Sequence, residues 1–180
     1  TSRKFMEKMN FQLDAEVVYV DDLKEKVTLT DKLIGGLQAY VVPPKTLART
    51  LQIDKVRADD LLTIIFTSGS TGTPKGVMLT HGNIMHNVEA MEQVVQLSSR
   101  DVLIGILPFF HSFGYTVTMW AVATLDVGGA YHFSPLDAQQ VGKLTQKYRG
   151  TILLTTPTFL RTYVRRCDKE QLATLEVIVC

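Results

Sequence analysis

The chain has 180 residues, of which 46% are hydrophobic, and its 19 basic and 18 acidic residues give a net charge of +1. This length and composition suit one globular domain and exclude a disordered or fibrous protein. Because the net charge is close to zero, no overall field attracts nucleic acid or an anionic membrane, and any phosphate binding must come from a local arrangement.

The two cysteines and the N-terminal residues predict a cytoplasmic location. Cys167 and Cys180 give neither a disulfide framework nor a spacing typical of a metal site. Two reduced thiols are the simplest interpretation, and they suit the cytosol. Residues 1–22 lack the basic segment, apolar run and small-residue cleavage site of a signal peptide.

The longest uncharged stretch lies between Asp101 and Asp126 and is long enough to cross a bilayer. Pro108, His111 and Gly114 interrupt it, and its periodicity changes midway. We therefore predict a buried strand, a loop and a buried helix there in place of a membrane-spanning helix. This interpretation leaves peripheral contact with a membrane open.

The first third of the chain predicts a strand, an interrupted helix and a second strand. Ala15–Val20 (AEVVYV) is a β-branched run typical of a strand. Residues 29–42 (LTDKLIGGLQAYVV) show weak helical periodicity with a break at Gly35 and Gly36, and the two prolines that follow end it. Leu61–Thr67 (LLTIIFT) is an almost continuous apolar run, the pattern of a strand buried on both faces of a sheet.

From residue 76 onward, strand patterns alternate with helix patterns. Thr80 and Asp137 are the predicted N-caps of two helices, and Pro157 is the predicted first residue of a third. Gly150 is the predicted end of the helix that Asp137 caps, and residues 115–125 form a further helical pattern. The predicted strands are residues 76–80, 102–107, 130–133, 151–156 and 175–180. Such alternation predicts an α/β fold with a mainly parallel sheet covered by helices.

The segment TSGSTGTPKG (residues 67–76) combines glycines, hydroxyl groups and one lysine directly after a predicted strand. Gly69, Gly72 and Gly76 allow backbone N–H groups to approach a phosphate chain closely. The hydroxyl groups add hydrogen-bond donors, and Lys75 supplies positive charge. A loop that leaves the carboxyl end of a buried strand lies in the crevice where α/β sheets commonly bind ligands.

Two common phosphate-binding motifs do not fit this segment. The Walker motif GxxxxGK[ST] requires a glycine before the lysine and a hydroxyl residue after it, whereas here Pro74 precedes Lys75 and Gly76 follows it. The dinucleotide motif GxGxxG fails because two residues separate Gly69 from Gly72. The ordered spacing TSGSTGxPKG also argues against an ordinary flexible surface loop.

Two longer segments resemble one enzyme family. IIFTSGSTGTPKGVMLTHGNI (residues 64–84) is similar to the AMP-binding signature of the adenylate-forming enzymes, which include acyl-CoA synthetases, luciferases and the adenylation domains of peptide synthetases. LPFFHSFGYT (residues 107–116) resembles the second landmark of that family, with Pro108, His111 and Gly114 at matching places. The two landmarks also occur in the family's order and at a similar separation.

The resemblance implies a reaction and a role for the first landmark. In this family the loop closes over the β- and γ-phosphates of ATP while AMP is attached to a carboxylate, pyrophosphate leaves, and a thiol then displaces AMP. Lys75 is the implied catalytic residue, neutralising the departing pyrophosphate together with Mg²⁺, for which no ligand is assigned in this chain. The implied ATP-binding residues are Thr67, Ser68, Gly69, Ser70, Thr71, Gly72 and Lys75.

The second landmark implies an acid pocket formed by His111, Phe113 and Gly114, in which His111 orients or gates the acid. The alternative for His111 is a structural histidine packed beside neighbouring phenylalanines. The motif FFHSFG and the segment Pro157–Arg166 (PTFLRTYVRR) resemble fatty-acyl-CoA and fatty-acyl-carrier-protein synthetases, so the expected substrate is a fatty acid and the acceptor is CoA or carrier-protein phosphopantetheine. Thr118, Met119, Trp120 and Val122 are either part of an acyl tunnel or plain core.

The domain organisation follows from motifs that the sequence does not contain. The family's later aromatic-Gly-x-Thr-Glu and Thr-Gly-Asp segments and the lysine of its small C-terminal domain have no counterpart. We therefore expect residues 1–180 to be a fragment of one AMP-binding N-terminal domain that is inactive alone, with the remainder of that domain and the C-terminal domain absent. The alternative is a non-catalytic nucleotide-binding or interaction module derived from the family.

Overall fold

The computed structural model describes residue 3 and residues 6–7, 16–68 and 72–180. Contacts divide the chain into two compact units, residues 1–56 and residues 57–180. The described part of the first unit is helical. Its elements are α1 (Val20–Lys26), α2 (Leu29–Val41), α3 (Pro44–Thr50) and a 3₁₀ turn (Ile53–Lys55).

The strand predicted at Ala15–Val20 is wrong over the part that the structure describes. Residues 16–19 have no regular structure, and Val20 begins α1. Asp21 and Asp22 lie in the first turn of α1, where negative charge stabilises the positive end of a helix. The guanidinium Nη2 of Arg3 also lies 2.7 Å from Oδ1 of Asp22. The acidic first turn therefore favours a helix that begins at Val20, the last residue of the predicted strand.

Helix α2 forms as the periodicity predicted, but without the predicted break at its two glycines. The helix is continuous from Leu29 to Val41. Its first turn is closed by a reciprocal capping box, in which the backbone N–H of Asp31 donates to Thr28 Oγ1 at 3.2 Å and the N–H of Thr28 donates to Asp31 Oδ2 at 2.9 Å. A well-formed cap contributes about 1 kcal/mol and so offsets part of the roughly 1 kcal/mol by which each of the two interior glycines weakens the helix.

The second unit begins with an antiparallel hairpin of β1 (Leu61–Ser68) and β2 (Pro74–Thr80). The prediction that residues 61–67 form a strand is confirmed, but the predicted burial on both faces is wrong. Ile65 is 6% exposed, whereas Phe66 on the opposite face is 72% exposed. A hairpin strand can cover one face with core contacts and still carry apolar side chains on its other face, so an apolar run alone does not show double-sided burial.

The predicted parallel sheet is confirmed. Its four strands are β3 (Val102–Gly105), β4 (Gly128–Tyr131), β5 (Ile152–Leu154) and β6 (Val177–Val179). They lie in the order β4-β3-β5-β6, and each is parallel to its neighbours. The intervening helices are α4 (His81–Val94), α5 (a π-helical part, Gly114–Ala121, and an α-helical turn, Val122–Thr124), α6 (Ala138–Tyr148) and α7 (Pro157–Arg166).

Helices cover both faces of this sheet, as expected for the α/β class. On one face, Ile104 and Leu153 pack with Val141 of α6 and Tyr163 of α7. On the other face, Leu103, Ile152 and Leu154 pack with Val117 and Val122 of α5. A third cluster joins Ile84 and Val88 of α4 to Ala121 of α5. In the part of the chain that the structure describes, no helix has both the length and the apolar character needed to span a membrane.

Local sequence signals correctly predict the starts of these helices and the end of α6. Thr80 caps α4 by accepting from the N–H of Asn83 at 3.2 Å, and Pro157 begins α7. Helix α6 ends at Tyr148, and the N–H of Gly150 closes its last turn by donating to the Thr145 carbonyl at 2.8 Å. Arg149, between them, adopts the left-handed conformation with φ of 53°. Gly150 is needed for space, because a Cβ there would lie 2.5 Å from the Ile104 side chain.

The buried Tyr163 hydroxyl should make the free energy of unfolding fall at alkaline pH. The hydroxyl donates to the Pro135 carbonyl at 2.6 Å, and burial raises the pKa of Tyr163 to about 12. The unfolded chain then loses this proton near pH 10, before the folded protein does, so the free energy of unfolding should fall by about 2 to 3 kcal/mol between pH 10 and pH 12. Urea unfolding across this range measures the loss.

Tyr163→Phe should abolish most of that pH dependence, because the phenyl ring has no proton to lose. It should also cost about 1 kcal/mol at neutral pH through the lost hydrogen bond. Tyr148→Phe is the control, since Tyr148 is about half exposed. An unchanged alkaline slope in Tyr163→Phe would show that another group causes the fall.

Candidate functional site

The TSGSTGTPKG segment forms the closed end of the β1–β2 hairpin. Ser68 pairs with Pro74, and Thr67 pairs with Lys75 directly across the strands. Directly opposed residues project to the same face, with Cβ atoms about 4.5 to 5.5 Å apart. The side chains of Thr67 and Lys75 are exposed, and within the described residues Lys75 makes no ion pair. One hydroxyl and one ammonium group are thus presented together, accessible to an anion.

The predicted location of this segment at the carboxyl edge of the parallel sheet is wrong. The segment connects two antiparallel strands, which form a separate two-stranded sheet. Gly72 has φ of 81°, a left-handed conformation that only glycine adopts without strain, so its predicted conformational role is specific. Gly69, Ser70 and Thr71 lie outside the described residues.

The base of the hairpin is fixed to helix α4. Strand β2 ends at Thr80, whose side chain caps α4, and the N–H of His81 donates to the Asp60 carbonyl at 3.1 Å. The N–H of Gly82 donates to the Ala58 carbonyl at 2.7 Å. These bonds hold the two ends of the hairpin together, so the lysine-bearing strand has a defined orientation relative to α4.

The second landmark forms the turn between β3 and α5, and its histidine has a defined tautomer. The N–H of His111 donates to the Pro108 carbonyl at 3.1 Å, and the N–H of Phe113 donates to His111 Nδ1 at 3.3 Å. A nitrogen that accepts a hydrogen bond carries no proton, so the neutral ring carries its proton on Nε2. Because His111 is exposed, this N–H is available to a ligand.

Gly114 allows the turn to close tightly before α5 begins. A Cβ at this position would overlap the Pro108 carbonyl oxygen, so any other residue would force the backbone apart. The π-helical part of α5 is held from outside by Tyr131 of β4, whose hydroxyl donates to the Thr118 carbonyl at 2.8 Å. The Tyr131 ring also meets Phe109 edge to face, at 5.6 Å between centroids. The turn is therefore braced against both the sheet and the helix.

A cavity of about 470 Å³ lies between α4, α5 and the parallel sheet. Its lining is mostly apolar, which suits a hydrocarbon chain. Phe113 and Ser112 of the second landmark line it, whereas His111 and Gly114 do not. The remaining lining residues are Leu79, Asn83, Ile84, Asn87, Val88, Met91, Val95, Leu97, Leu103, Thr116, Val117, Ala121, Ile152, Leu154 and Val179.

These lining residues bear on one alternative that the sequence left open. The sequence left four α5 residues open as either tunnel lining or core, namely Thr118, Met119, Trp120 and Val122. None of them lines the cavity. Thr118 is fully buried, and Val122 packs into the core. The contribution of α4 was not predicted. Its positions Asn83, Asn87 and Met91 recur every four residues, a spacing that could have shown a second stripe beside the buried one.

Strand β2 links the hairpin loop to the cavity. Alternate residues of a strand share a face, so Lys75 and Leu79 project from the same side of β2. Leu79 lines the cavity. At about 3.3 Å per residue, the two positions are about 13 Å apart along the strand. One surface of the hairpin therefore leads from the exposed lysine to the apolar cavity.

The chain matches one family model and is similar to two CoA ligases. The family model described as AMP-binding enzyme matches residues 5–180. The chain is 30% identical over 146 residues to acyl-CoA ligase SID4 of Ajellomyces capsulatus, covering 81% of this chain and 24% of the ligase. It is 32% identical over 134 residues to the long-chain-fatty-acid–CoA ligase ACSBG2 of Xenopus laevis, covering 70% of this chain and 17% of that ligase.

Among solved structures, ATP-bound MatB from Rhodopseudomonas palustris is 30% identical to the chain, with a TM-score of 0.59. The match covers 68% of this chain and 24% of MatB. The chain thus spans about a quarter or less of the length of these three relatives. The likeness therefore concerns one part of a longer protein in each case.

Proposed function

Because the chain belongs to the AMP-binding enzyme family, we propose that it is part of an ATP-dependent acid–thiol ligase. The enzyme activates a carboxylic acid as acyl-AMP, releases pyrophosphate, and transfers the acyl group to the thiol of CoA or of carrier-protein phosphopantetheine. Residues 1–180 contribute one part of the AMP-binding N-terminal domain. The observation that carries this proposal is the hairpin face that joins the exposed Lys75 to the apolar cavity.

The hairpin loop is the proposed pyrophosphate site. Negative charge accumulates on the β- and γ-phosphates as the bond to the α-phosphate breaks, and a fixed cation beside them stabilises that charge. Lys75 supplies the cation, and Thr67 on the same face supplies a hydroxyl donor. Ser68, Gly69, Ser70, Thr71 and Gly72 complete the proposed cradle. Among the described residues no three acidic, histidine or cysteine side chains converge, so none is assigned to Mg²⁺.

The turn between β3 and α5 is the proposed acid site. The Nε2–H of His111 is oriented as a hydrogen-bond donor, which a carboxylate can accept. Phe113 carries this turn into the cavity lining, so an acid held by His111 directs its chain between α4 and α5. Gly114 allows the close approach of the turn to Pro108. The mostly apolar lining supports a fatty acid as substrate, and likeness to a long-chain-fatty-acid–CoA ligase supports the same class.

His111→Ala should raise the KM for the acid by about three- to tenfold, the effect expected when one hydrogen bond to a ligand is lost. The KM for ATP should stay unchanged, because the proposed role concerns the acid alone. Steady-state kinetics of the full-length protein with each substrate varied in turn measures both values.

His86→Ala is the matched control, since His86 is an exposed histidine on α4 that does not line the cavity. A purely structural role for His111 predicts a lower melting temperature and equal changes in both KM values. That pattern would contradict the proposed contact with the acid.

The proposed reaction takes place in the cytoplasm, in fatty acid metabolism. Both cysteines are free thiols, as a reducing compartment requires. The substrates are small molecules, and the near-neutral chain offers no general attraction for nucleic acid. CoA and an acyl carrier protein are the two candidate acceptors.

Mass spectrometry of full-length protein incubated with ATP, Mg²⁺, a fatty acid and either acceptor tests this function. The proposal predicts AMP, pyrophosphate and an acyl thioester, and the acceptor that becomes acylated identifies the second substrate. ATP binding without any acyl product would instead indicate a non-catalytic nucleotide-binding module.

A further inference from the structure

The lining of the cavity extends from one end of strand β3 to the other. Ser112 and Phe113 follow the carboxyl end of β3, whereas Leu97 precedes the amino end of the same strand. Along α4, lining residues extend from Asn83 to Val95, a distance of about 18 Å at 1.5 Å per residue. The cavity therefore runs along the sheet, from the turn that contains His111 toward the amino ends of the strands.

A second pocket, of about 510 Å³, lies at the amino ends of the strands. Its lining includes the polar residues Ser98, Arg100, Asp101, Thr151 and Glu176. Three residues line both spaces, namely Val95, Leu97 and Ile152. These three residues therefore lie where the apolar cavity meets the polar pocket.

Hydrogen bonds fix the segment that carries Leu97. Asp101 Oδ2 accepts from the N–H and the hydroxyl of Ser98 at 2.8 and 2.9 Å, and Asp101 Oδ1 accepts from the Thr151 hydroxyl at 2.9 Å. Burial raises the pKa of Asp101, but these hydrogen bonds outweigh it and hold the pKa below its usual value. The carboxylate stays ionised at neutral pH and anchors the segment to the start of β5.

Of the three shared residues, Leu97 is the best placed to limit the length of a bound acyl chain. Ile152 is a core residue of β5, and Val95 is the C-cap residue of α4. Leu97 lies between these elements and packs on the cluster formed by Leu103, Ile152 and Leu154. A hydrocarbon chain that passed Leu97 would displace water from charged groups without giving them new partners, which is unfavourable.

We propose that Leu97 closes the far end of the acyl cavity and sets the longest acyl chain that the enzyme accepts. This inference rests on the proposed function of the same cavity. Each buried methylene contributes about fourfold in affinity, so catalytic efficiency should rise with chain length until the terminal methyl group meets Leu97, and then stop rising.

The test is kcat/KM for AMP formation by the full-length protein with a series of straight-chain saturated acids from hexanoate to octadecanoate. Leu97→Ala removes three carbon atoms, so it should move the preferred length upward by about two methylenes and improve use of the next longer acids about tenfold. Leu97→Phe should move the preferred length downward. Leu97→Val removes one methylene and should give a smaller upward shift, which keeps the test informative if the alanine variant folds poorly.

Leu144→Ala is the matched control, because Leu144 is a half-buried leucine that packs on the other face of the sheet. Displacement of a fluorescent fatty-acid analogue by the same acids gives a binding readout beside activity. Opposite shifts for the smaller and larger residues, with none in Leu144→Ala, support the inference. An unchanged profile in the Leu97 variants, or the same shift in Leu144→Ala, overturns it. A wild-type protein that activates no acid in the series contradicts the proposed function, and this inference with it.

Discussion

Lys75→Ala should lower the rate of acyl-adenylate formation by about 10²- to 10³-fold, the effect typical of removing one preorganised group that stabilises charge in a transition state. The apparent affinity for the acid should not change, because Lys75 lies about 13 Å along β2 from the cavity-lining Leu79. Single-turnover measurements of acyl-AMP formation in the full-length protein separate the two quantities.

Two further variants define what the lysine contributes. Lys143→Ala removes an exposed lysine from α6 and should leave the rate unchanged. Lys75→Arg keeps the charge but changes its shape and hydration, so its rate should lie between those of wild type and Lys75→Ala. If Lys75→Ala changed only the KM for the acid, the lysine would belong to the acid site and not to the phosphate site.

Gly114→Ala should lower the free energy of unfolding by about 1 to 3 kcal/mol, as expected when an extra methyl group is forced into a closely packed site. The new Cβ would overlap the Pro108 carbonyl, a backbone atom that cannot rotate away. Because the same turn positions His111, the KM for the acid should rise as well. Urea unfolding and acid-dependent kinetics measure the two effects.

Gly35→Ala is the control for glycine replacement in general. No atom lies within 4 Å of a Cβ at Gly35, and the residue is in the interior of α2. This change should stabilise the protein by about 0.5 to 1 kcal/mol. Equal stability of Gly114→Ala and the wild type would show that the turn relaxes easily and does not depend on glycine.

The sequence predicted well those features that depend on neighbouring residues. Thr80 and Pro157 mark helix starts because their side chains act within one helical turn. The alternation of strands and helices predicted the parallel sheet, because parallel neighbours require a crossover. Features that depend on distant partners were predicted poorly. Leu61–Thr67 was expected in the buried sheet, and only its pairing with Pro74–Thr80 shows that it belongs to a hairpin strand.

In the candidate site, too, local features were predicted better than features that depend on distant residues. The phosphate loop and the turn around His111 are continuous segments. The residue types of the loop indicated phosphate binding, and the resemblance of the turn to the family's second landmark implied an acid site. The cavity is formed by α4, α5 and four strands, so most of its lining residues come together only in the folded chain. Asn87, Met91 and Leu97 were missed for this reason. Val122 was left open between core and tunnel because core and cavity positions share the same helical spacing.

The most direct test of the proposed chemistry is acid-dependent exchange of labelled pyrophosphate into ATP by the full-length protein. Reversible formation of acyl-AMP predicts that exchange requires both the fatty acid and Mg²⁺-ATP, proceeds without any thiol, and is strongly reduced in Lys75→Ala. Production of ADP and phosphate in place of exchange, or exchange that Lys75→Ala leaves unchanged, would contradict a pyrophosphate site at the end of the β1–β2 hairpin.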